Sequence, residues 1–276
     1  MPQTARLLAS GPGWRASEVV CSDGPHDPRS EERHDGACLA VVLAGRFQYR
    51  AAHGAALLAP GTVLLGNGGQ DFECGHDHGT GDRCLCFNLA EELLDTVVAG
   101  LPGAKPAFRA PRLPPSPLLV PLLAEAAAAG EAGDAAALEE IALRLAGCAA
   151  AMQADLKPAD FRAAPGEERA VAEALRLIEC HASEPAEEAL SLAALSERAA
   201  TNRYRLIRLF RRLVGMTPHQ YLLHLRLVRA AQRLLTGDEE ISAIAFAEGF
   251  GDLSSFNRRF RRVLGAAPGR YRAAHA

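Results

Sequence analysis

Arginine is the side chain best placed to do chemistry in this chain, and its placement is written twice. Arg208, Phe210, Arg211, Arg212, Gly215, Pro218 and Tyr221 recur fifty positions later as Arg258, Phe260, Arg261, Arg262, Gly265, Pro268 and Tyr271. A guanidinium is a planar fork of donors that bonds paired acceptors such as phosphate oxygens. The second chemically marked stretch is Cys74-Gly-His76-Asp-His78-Gly-Thr-Gly-Asp-Arg-Cys84-Leu-Cys86. Alternate residues of an extended chain point the same way, so Cys74, His76 and His78 would share one face, and Cys84 and Cys86 one face of the next strand. Thiolate and imidazole are ligands for Zn²⁺ or a similar soft ion. Two other readings stand beside that one: a redox-responsive thiol pair, and buried small cysteines with histidines in a surface turn. The spacing matches no zinc-finger arrangement. His26, His34 and His53 could contribute, although lone loop histidines are usually solvated.

The elements that must position the arginines follow from periodicity. In the first copy, Leu192 to Ala199 is a short helical pattern, and Thr201 or Asn202 can cap a second helix whose Leu206, Leu209, Phe210 and Leu213 keep the 3.6-residue period. Gly215 ends it, where a left-handed residue costs least. In the second copy Ile241 to Ala247 is the short helix, Gly249 and Gly251 turn the chain, and Asp252 caps a helix carrying Phe256, Phe260, Val263 and Leu264 inward. Two short helices joined by a tight turn, the second longer and basic, make the pattern of a helix-turn-helix. Between the copies, Pro218 to Leu235 reads as one amphipathic helix with Leu222, Leu225, Val228 and Leu235 inward and Arg226, Arg229 and Arg233 interleaved, ended at Gly237. At 1.5 Å per residue it spans roughly 27 Å, comparable with the ~34 Å between successive major-groove faces of B-DNA.

From Thr201 to the end there are fourteen Arg against five acids, an excess of nine; the whole chain sums to −3, so the residues before Thr201 carry −12. A localised basic face supplies the salt-dependent part of DNA affinity.

The passage Ile241-Ser-Ala-Ile-Ala-Phe-Ala-Glu-Gly-Phe-Gly-Asp-Leu-Ser-Ser-Phe-Asn-Arg-Arg-Phe-Arg-Arg-Val-Leu-Gly-Ala-Ala-Pro-Gly-Arg-Tyr271 resembles the signature of the AraC/XylS family of bacterial transcription regulators. The resemblance implies a DNA-binding domain of about seven helices with two helix-turn-helix units, over roughly Glu167 to Arg272. Carried over by position, it places Tyr204, Ile207 and Arg208 of the first recognition helix against bases, with Asn202, Arg203 and Arg205 near the backbone. On the second helix it places Leu253, Ser254, Ser255, Asn257 and Arg258 against bases. Arg can bond guanine bidentately, Asn adenine and Ser either, while Ile and Leu only touch a thymine methyl or a sugar. Arg211, Arg212, Arg261 and Arg262 read as phosphate contacts or solvated positions, Arg208 and Arg258 as either readers or positioners.

The remainder of the chain has a different texture. With 276 residues, 49% of them apolar, two domains with cores of their own are expected. Between Trp14 and Leu89, short apolar runs at Cys38–Leu43, Phe47–Arg50, Ala55–Ala59, Val63–Leu65, Asp71–Cys74 and Arg83–Leu89 alternate with turns such as Pro60-Gly61, the pattern of a small barrel or sandwich. In the family's layout this is the place of a cupin-like sensor domain. Ser116 to Leu156 is Ala-rich and helical, broken near Gly130 and Gly133. Leu138, Ile141, Leu145, Cys148 and Met152 form a heptad seam there, read either as a homodimer contact or as packing on the chain's own barrel. Pro102 to Pro121, with seven prolines, is an irregular joint. The expected fold is thus α+β: a cupin-like β-rich sensor domain over 1–112, a helical segment over 113–157, a linker over 158–168, and an all-α DNA-binding domain over 169–276, its first helix near Val171 to Ile178.

No apolar run reaches the ~18 residues needed to cross a bilayer and no signal-peptide region follows Met1, so the expectation is a cytoplasmic protein without a membrane partner. Seven Cys, an odd number in a chain this long, point to reduced thiols rather than a disulfide framework. The reading taken as a whole is a transcription regulator, more often an activator in this family, with double-stranded DNA and RNA polymerase as partners, a homodimer, and a small-molecule effector acting on the barrel. It requires no cofactor, with a divalent metal such as zinc as the optional addition. The opposing reading, a metal-bearing cupin enzyme with Glu73 or Asp77 as acid or base, lacks a complete set of nucleophile, base and orienting group.

Overall fold

The computed structural model describes residues 3–24, 27–76, 81–99, 101, 105–155, 164–182 and 191–275. His26, Asp77, His78 and linker residues 158–163 lie outside the described residues. The chain divides into two compact units, one of residues 1–114 and 129–163, the other of 115–128 and 164–276. The helical segment expected over 113–157 is therefore shared between them. No helix among the described residues is long and apolar enough to cross a membrane.

The first unit is built on two antiparallel sheets. One contains β1 (Gln3–Gly11), β2 (Trp14–Cys21), β4 (Ala37–Gly45), β7 (Val63–Gly66), β9 (Asp82–Leu89) and the short β10 (Arg112–Leu113), in the order β1-β2-β9-β4-β7-β10. The other contains β3 (Ser30–Arg33), β5 (Phe47–Ala51), β6 (Gly54–Leu58) and β8 (Asp71–Gly75), in the order β3-β8-β5-β6. Cys38, Ala40, Val42, Leu64 and Cys84 of the first sheet pack with Phe47, Tyr49 and Leu58 of the second in one core, so the sheets face each other as a sandwich. β4 is central, and Ala37 to Val42 are all buried, which explains why that stretch reads as an unbroken apolar run. The Pro60-Gly61 turn is closed by Thr62, whose hydroxyl donates to the Ala59 carbonyl at 2.6 Å, with Gly61 at φ +87.

All six expected strands are present. β1, β2 and β3 were not anticipated as strands, because β1 is exposed over its first five residues and carries no clear two-residue alternation. Helix α1 (Glu91–Val98) was also missed.

Helices α2 (Val120–Ala132) and α3 (Ala135–Asp155) are separated near Gly133, which takes φ +66. The proposed seam on α3 is filled from within. Leu138, Ile141 and Leu145 are buried, and α3 packs on β1, β2, β10 and α1 of its own unit. Of the two readings of the heptad, packing on the chain's own sheet is the one realised, because covering the sandwich face already removes those side chains from water. The other two seam residues, Cys148 and Met152, are half-buried.

Besides the first part of α2, the second unit holds seven helices among its described residues: α4 (Pro165–His181), α5 (Leu192–Arg198), α6 (Arg203–Leu213), α7 (Pro218–Thr236), α8 (Ile241–Ala247), α9 (Leu253–Leu264) and α10 (Pro268–Ala273). The linker expected over 158–168 gives way to helix at Pro165. Proline at the first helical position and Glu167 accepting from the Ala164 amide at 3.3 Å start α4 there. One core joins Val120 and Ala124 of α2 to Leu227, Ala230, Ala231, Leu234, Ile244, Ala245, Phe250, Phe256, Phe260 and Tyr271. The aromatic residues meet edge-on, Phe260 and Tyr271 at 5.5 Å and 79°.

Candidate nucleic-acid interface

Each recognition helix is started by a side chain and stopped by a glycine or its neighbour. Asn202 Oδ1 accepts from the Arg205 amide at 2.8 Å, and Asp252 Oδ1 from the Ser255 amide at 2.7 Å. Asn202, expected near the DNA backbone, is thus committed to capping α6. The turns into these helices each need one left-handed residue. It is Ala200 in the first, at φ +48, and Gly249 in the second, at φ +75. Gly265 closes α9 in the left-handed conformation. Gly237, which follows α7, is extended instead, at φ −157.

Burial then sorts the outward side chains. Leu206, Leu209, Phe210 and Leu213 are the buried stripe of α6, and at 3.6 residues per turn the opposite face carries Tyr204, Arg208 and Arg211. Tyr204 is 84% exposed. On α9 the buried residues are Phe256 and Phe260, and Ser254, Arg258 and Arg261 lie opposite, with Arg262 beside them. The two outer triads are the same three positions, offset by fifty. Arg258 donates to Ser255 Oγ at 3.3 Å. Arg203 and Arg262 are exposed, Asn257 is half-buried on the flank of α9, and Leu253 is 37% exposed. Ile207 and Ser255 line a groove of about 710 Å³ between the two helix pairs, together with Pro218, Leu222 and Arg259.

Several arginines of the basic excess are held inside the unit. Arg205 and Arg212 both reach Glu167, the former at 3.5 Å, and Arg212 holds the Glu167 carboxyl below the usual carboxylate range. Arg226 donates to the carbonyls of Ala182 at 2.8 Å and Gly249 at 2.7 Å, tying α7 to the end of α4 and to the second turn. Arg233 is paired with Glu239 and, at 2.9 Å, with Glu248. Arg272 donates to the Glu239 carbonyl at 2.6 Å. Glu167 is the residue that the sequence reading missed as a participant. Its place three positions into a Pro-started helix was the available signal.

In the first unit, the cysteines converge on the interior of the sandwich. Cys21, Cys38, Cys74, Cys84 and Cys86, with His34, His76 and Asp82, line a cavity of about 330 Å³. Burial pushes the thiols of Cys74 and Cys84 up, and raises Cys21 to about 11. Cys38 moves the other way, held down first by a hydrogen bond from Cys86. Of the five residues expected around a metal, His78 lies outside the described residues, and Cys74, His76, Cys84 and Cys86 line the cavity. β8 ends at Gly75, so His76 lies beyond the strand, and the alternation that put Cys74 and His76 on one face does not extend to it. The donors that come within 4.8 Å of one another are instead Cys21, His76 and Asp82. His34 bonds the Tyr49 hydroxyl at 2.9 Å and stacks on Phe72, and His53 bonds the Leu65 carbonyl and Gln70, so both serve the fold.

A family model described as "Helix-turn-helix domain" matches residues 195–274. The "HTH-type transcriptional activator RhaS" of Escherichia fergusonii is 40% identical over 81 residues, covering 29% of this chain and 29% of its own length. A "Putative AraC-like transcription regulator" of Streptomyces lividans is 38% identical over 82 residues, covering 30% of this chain and 27% of its own. The chain thus spans under a third of the length of these two relatives. Among solved structures, a cupin superfamily protein from Desulfitobacterium hafniense covers 32% of this chain and 78% of its own, at 20% identity and a TM-score of 0.28. The fifty-residue duplication, its two capped helices and the match over residues 195–274 together make the C-terminal part of this chain an AraC-type helix-turn-helix domain.

Proposed function

We propose that the protein is a sequence-specific transcription regulator that lays α6 and α9 into neighbouring major grooves of one DNA duplex and is controlled through its N-terminal sandwich. The observation that carries the reading is the repeated outer face, Tyr204, Arg208 and Arg211 on one helix and Ser254, Arg258 and Arg261 on the other. Helix α7, 19 residues and so about 28 Å long, is a spacer of the right order for adjacent grooves. Arg208 and Arg258 read bases, while Arg211, Arg261 and Arg262 hold phosphates. Ile207 and Ser255, turned toward the groove between the helix pairs, contribute less to reading than the resemblance implies.

Control enters at the cavity of the sandwich, where a small effector meets Cys, His and Asp side chains. The protein acts as an activator, as the name of the RhaS relative says of that protein. A homodimer and contact with RNA polymerase belong to the same proposal, with the dimer contact made elsewhere than on Leu138, Ile141 and Leu145. Such a regulator is not an enzyme and works in the cytoplasm, where the chromosome is.

The test is footprinting on a site selected from random DNA, combined with two substitutions. Two protected major-groove faces about one helical turn apart are expected, and protection of a single face refutes the two-groove reading. Arg258→Ala should cost ~1–3 kcal/mol on the selected site and relax base preference there, whereas Arg261→Ala should weaken all sequences alike. Equal losses for both variants on selected and random DNA would remove Arg258 from the readers.

A further inference from the structure

We infer that Cys21, His76 and Asp82 form a three-ligand site for a soft divalent cation such as Zn²⁺ at one end of the sandwich, with its fourth position open to the cavity. The ligand atoms all lie within 4.8 Å of one another. With bonds of about 2.0–2.3 Å, tetrahedral Zn²⁺ places its ligand atoms about 3.3–3.6 Å apart, so sub-ångström to ångström movements complete the geometry. His76 meets Asp82 Oδ2 at 2.6 Å, with side chains 4% and 7% exposed. That is a hydrogen-bond distance, and a cation taking both side chains as ligands would spread the pair by about 0.7 Å.

The donor set fits the ion. One thiolate, one neutral imidazole and one carboxylate carry two negative charges against the ion's two positive ones, and the sulfur and nitrogen favour Zn²⁺ over Mg²⁺ or Ca²⁺. Asp82 has an outer partner, since the Cys84 thiol donates to its other oxygen at 3.3 Å. All three ligands border the 330 Å³ cavity, which leaves a fourth position for water or an incoming donor.

The backbone is shaped to bring these residues together. Cys21 ends β2, Asp82 starts β9 opposite it in register, and His76 follows β8 of the other sheet. Gly81, at φ +76, lies so close to the Cys21 carbonyl that a Cβ there would approach it to 2.2 Å, and Gly45 presses equally on the Gly81 carbonyl. A bound cation would therefore fasten the two sheets at this end. Local spacing could not reveal the site, because Cys21 is 55 positions from His76.

The site is independent of the DNA-facing reading, and its test needs no DNA. Full-length protein stripped by chelator is titrated with Zn²⁺ in competition with a chromophoric chelator, and with Co²⁺ followed by absorption. The expected results are one ion per chain, tetrahedral d–d bands, and the charge-transfer intensity of a single thiolate. Cys21→Ser, His76→Gln and Asp82→Asn should each weaken Zn²⁺ by at least the ~10–100-fold that loss of an outer partner costs, and Cys148→Ser on α3 should not. Binding that survives Cys21→Ser but is lost in Cys74→Ser or Cys86→Ser overturns the assignment, as does the absence of one-to-one binding. Should the ligand variants fail to fold, the wild-type Co²⁺ spectrum decides: one thiolate supports the site, and two or more overturn it.

Discussion

Neutralising Glu167 should tighten the grip on DNA and steepen its dependence on salt. Arg205 and Arg212 lie on the flank of α6 and both reach this carboxylate, so part of their charge is spent inside the protein. Glu167→Gln keeps the hydrogen bond to the Ala164 amide that starts α4, because glutamine serves that position as well as glutamate. What it removes is the competitor for two guanidiniums. Each phosphate contact contributes about 0.9 to the slope of log affinity against log salt, so freeing both arginines steepens it by at most ~1.8. Between 50 and 200 mM salt a slope change of 1.8 is a factor of about twelve, and one contact alone is a factor of about 3.5. The Arg205 and Arg212 side chains are 59% and 44% exposed, so solvent already loosens these pairs and the full value is a ceiling. The assay is fluorescence anisotropy with a random-sequence duplex at four salt concentrations at pH 7. Arg211→Ala in the natural chain sets the scale by lowering the slope by ~0.9, and Arg212→Ala added to Glu167→Gln should return about half the gain. An unchanged slope in Glu167→Gln, or weaker binding with an unaltered melting curve, refutes the argument that Glu167 holds these arginines back from phosphate.

Asn202→Ala should destabilise the C-terminal unit by ~1 kcal/mol in denaturant titration while Asn202→Asp restores it, because the position is an N-cap. Glycines 249 and 265 are both left-handed yet should differ: Gly265→Ala has open space and costs ~1–2 kcal/mol from conformation alone. Gly249→Ala drives a Cβ to 2.6 Å from the Arg226 guanidinium and should cost more in the same titration, with loss of the Arg226 bridge. The Asp252 carboxyl is held below its ordinary value chiefly by the Ser255 amide, so its contribution is present above the ordinary carboxylate range of about 4 and is lost as pH falls through the folded value. Thermal melts from pH 7 to pH 3 should therefore fall more steeply for the natural chain than for Asp252→Asn, and parallel curves would rule out that cap as a titrating contributor.

The duplicated helix pairs were legible in the sequence because everything that makes them is local. Within each copy the cap at Asn202 or Asp252, the stop at Gly215 or Gly265 and a 3.6-residue apolar stripe lie within thirteen positions of one another, and the structure realises them. The six central strands were legible for the same reason, each being a short apolar run between turn residues. The β1–β2 hairpin was not, since an exposed edge strand needs no alternation to be paired. The heptad on α3 was visible as a pattern, but a pattern of buried positions does not say what buries them. The sheet beneath Leu138 and Leu145 answers that.

What the sequence determined alone was the presence, order and caps of the duplicated helix pairs, the period of their buried stripes and the location of the basic charge. The use of that charge was decided only by tertiary structure. Glu167, Glu248 and the carbonyls of Ala182 and Gly249 capture Arg205, Arg212, Arg233 and Arg226 across 15 to 45 positions of chain. Cys21 likewise meets His76 and Asp82 only because β2 and β9 pair and the second sheet folds over them. Periodicity reports which way a side chain points along its own element, whereas an ion pair or a ligand set depends on distances between elements, and those are fixed when the cores close.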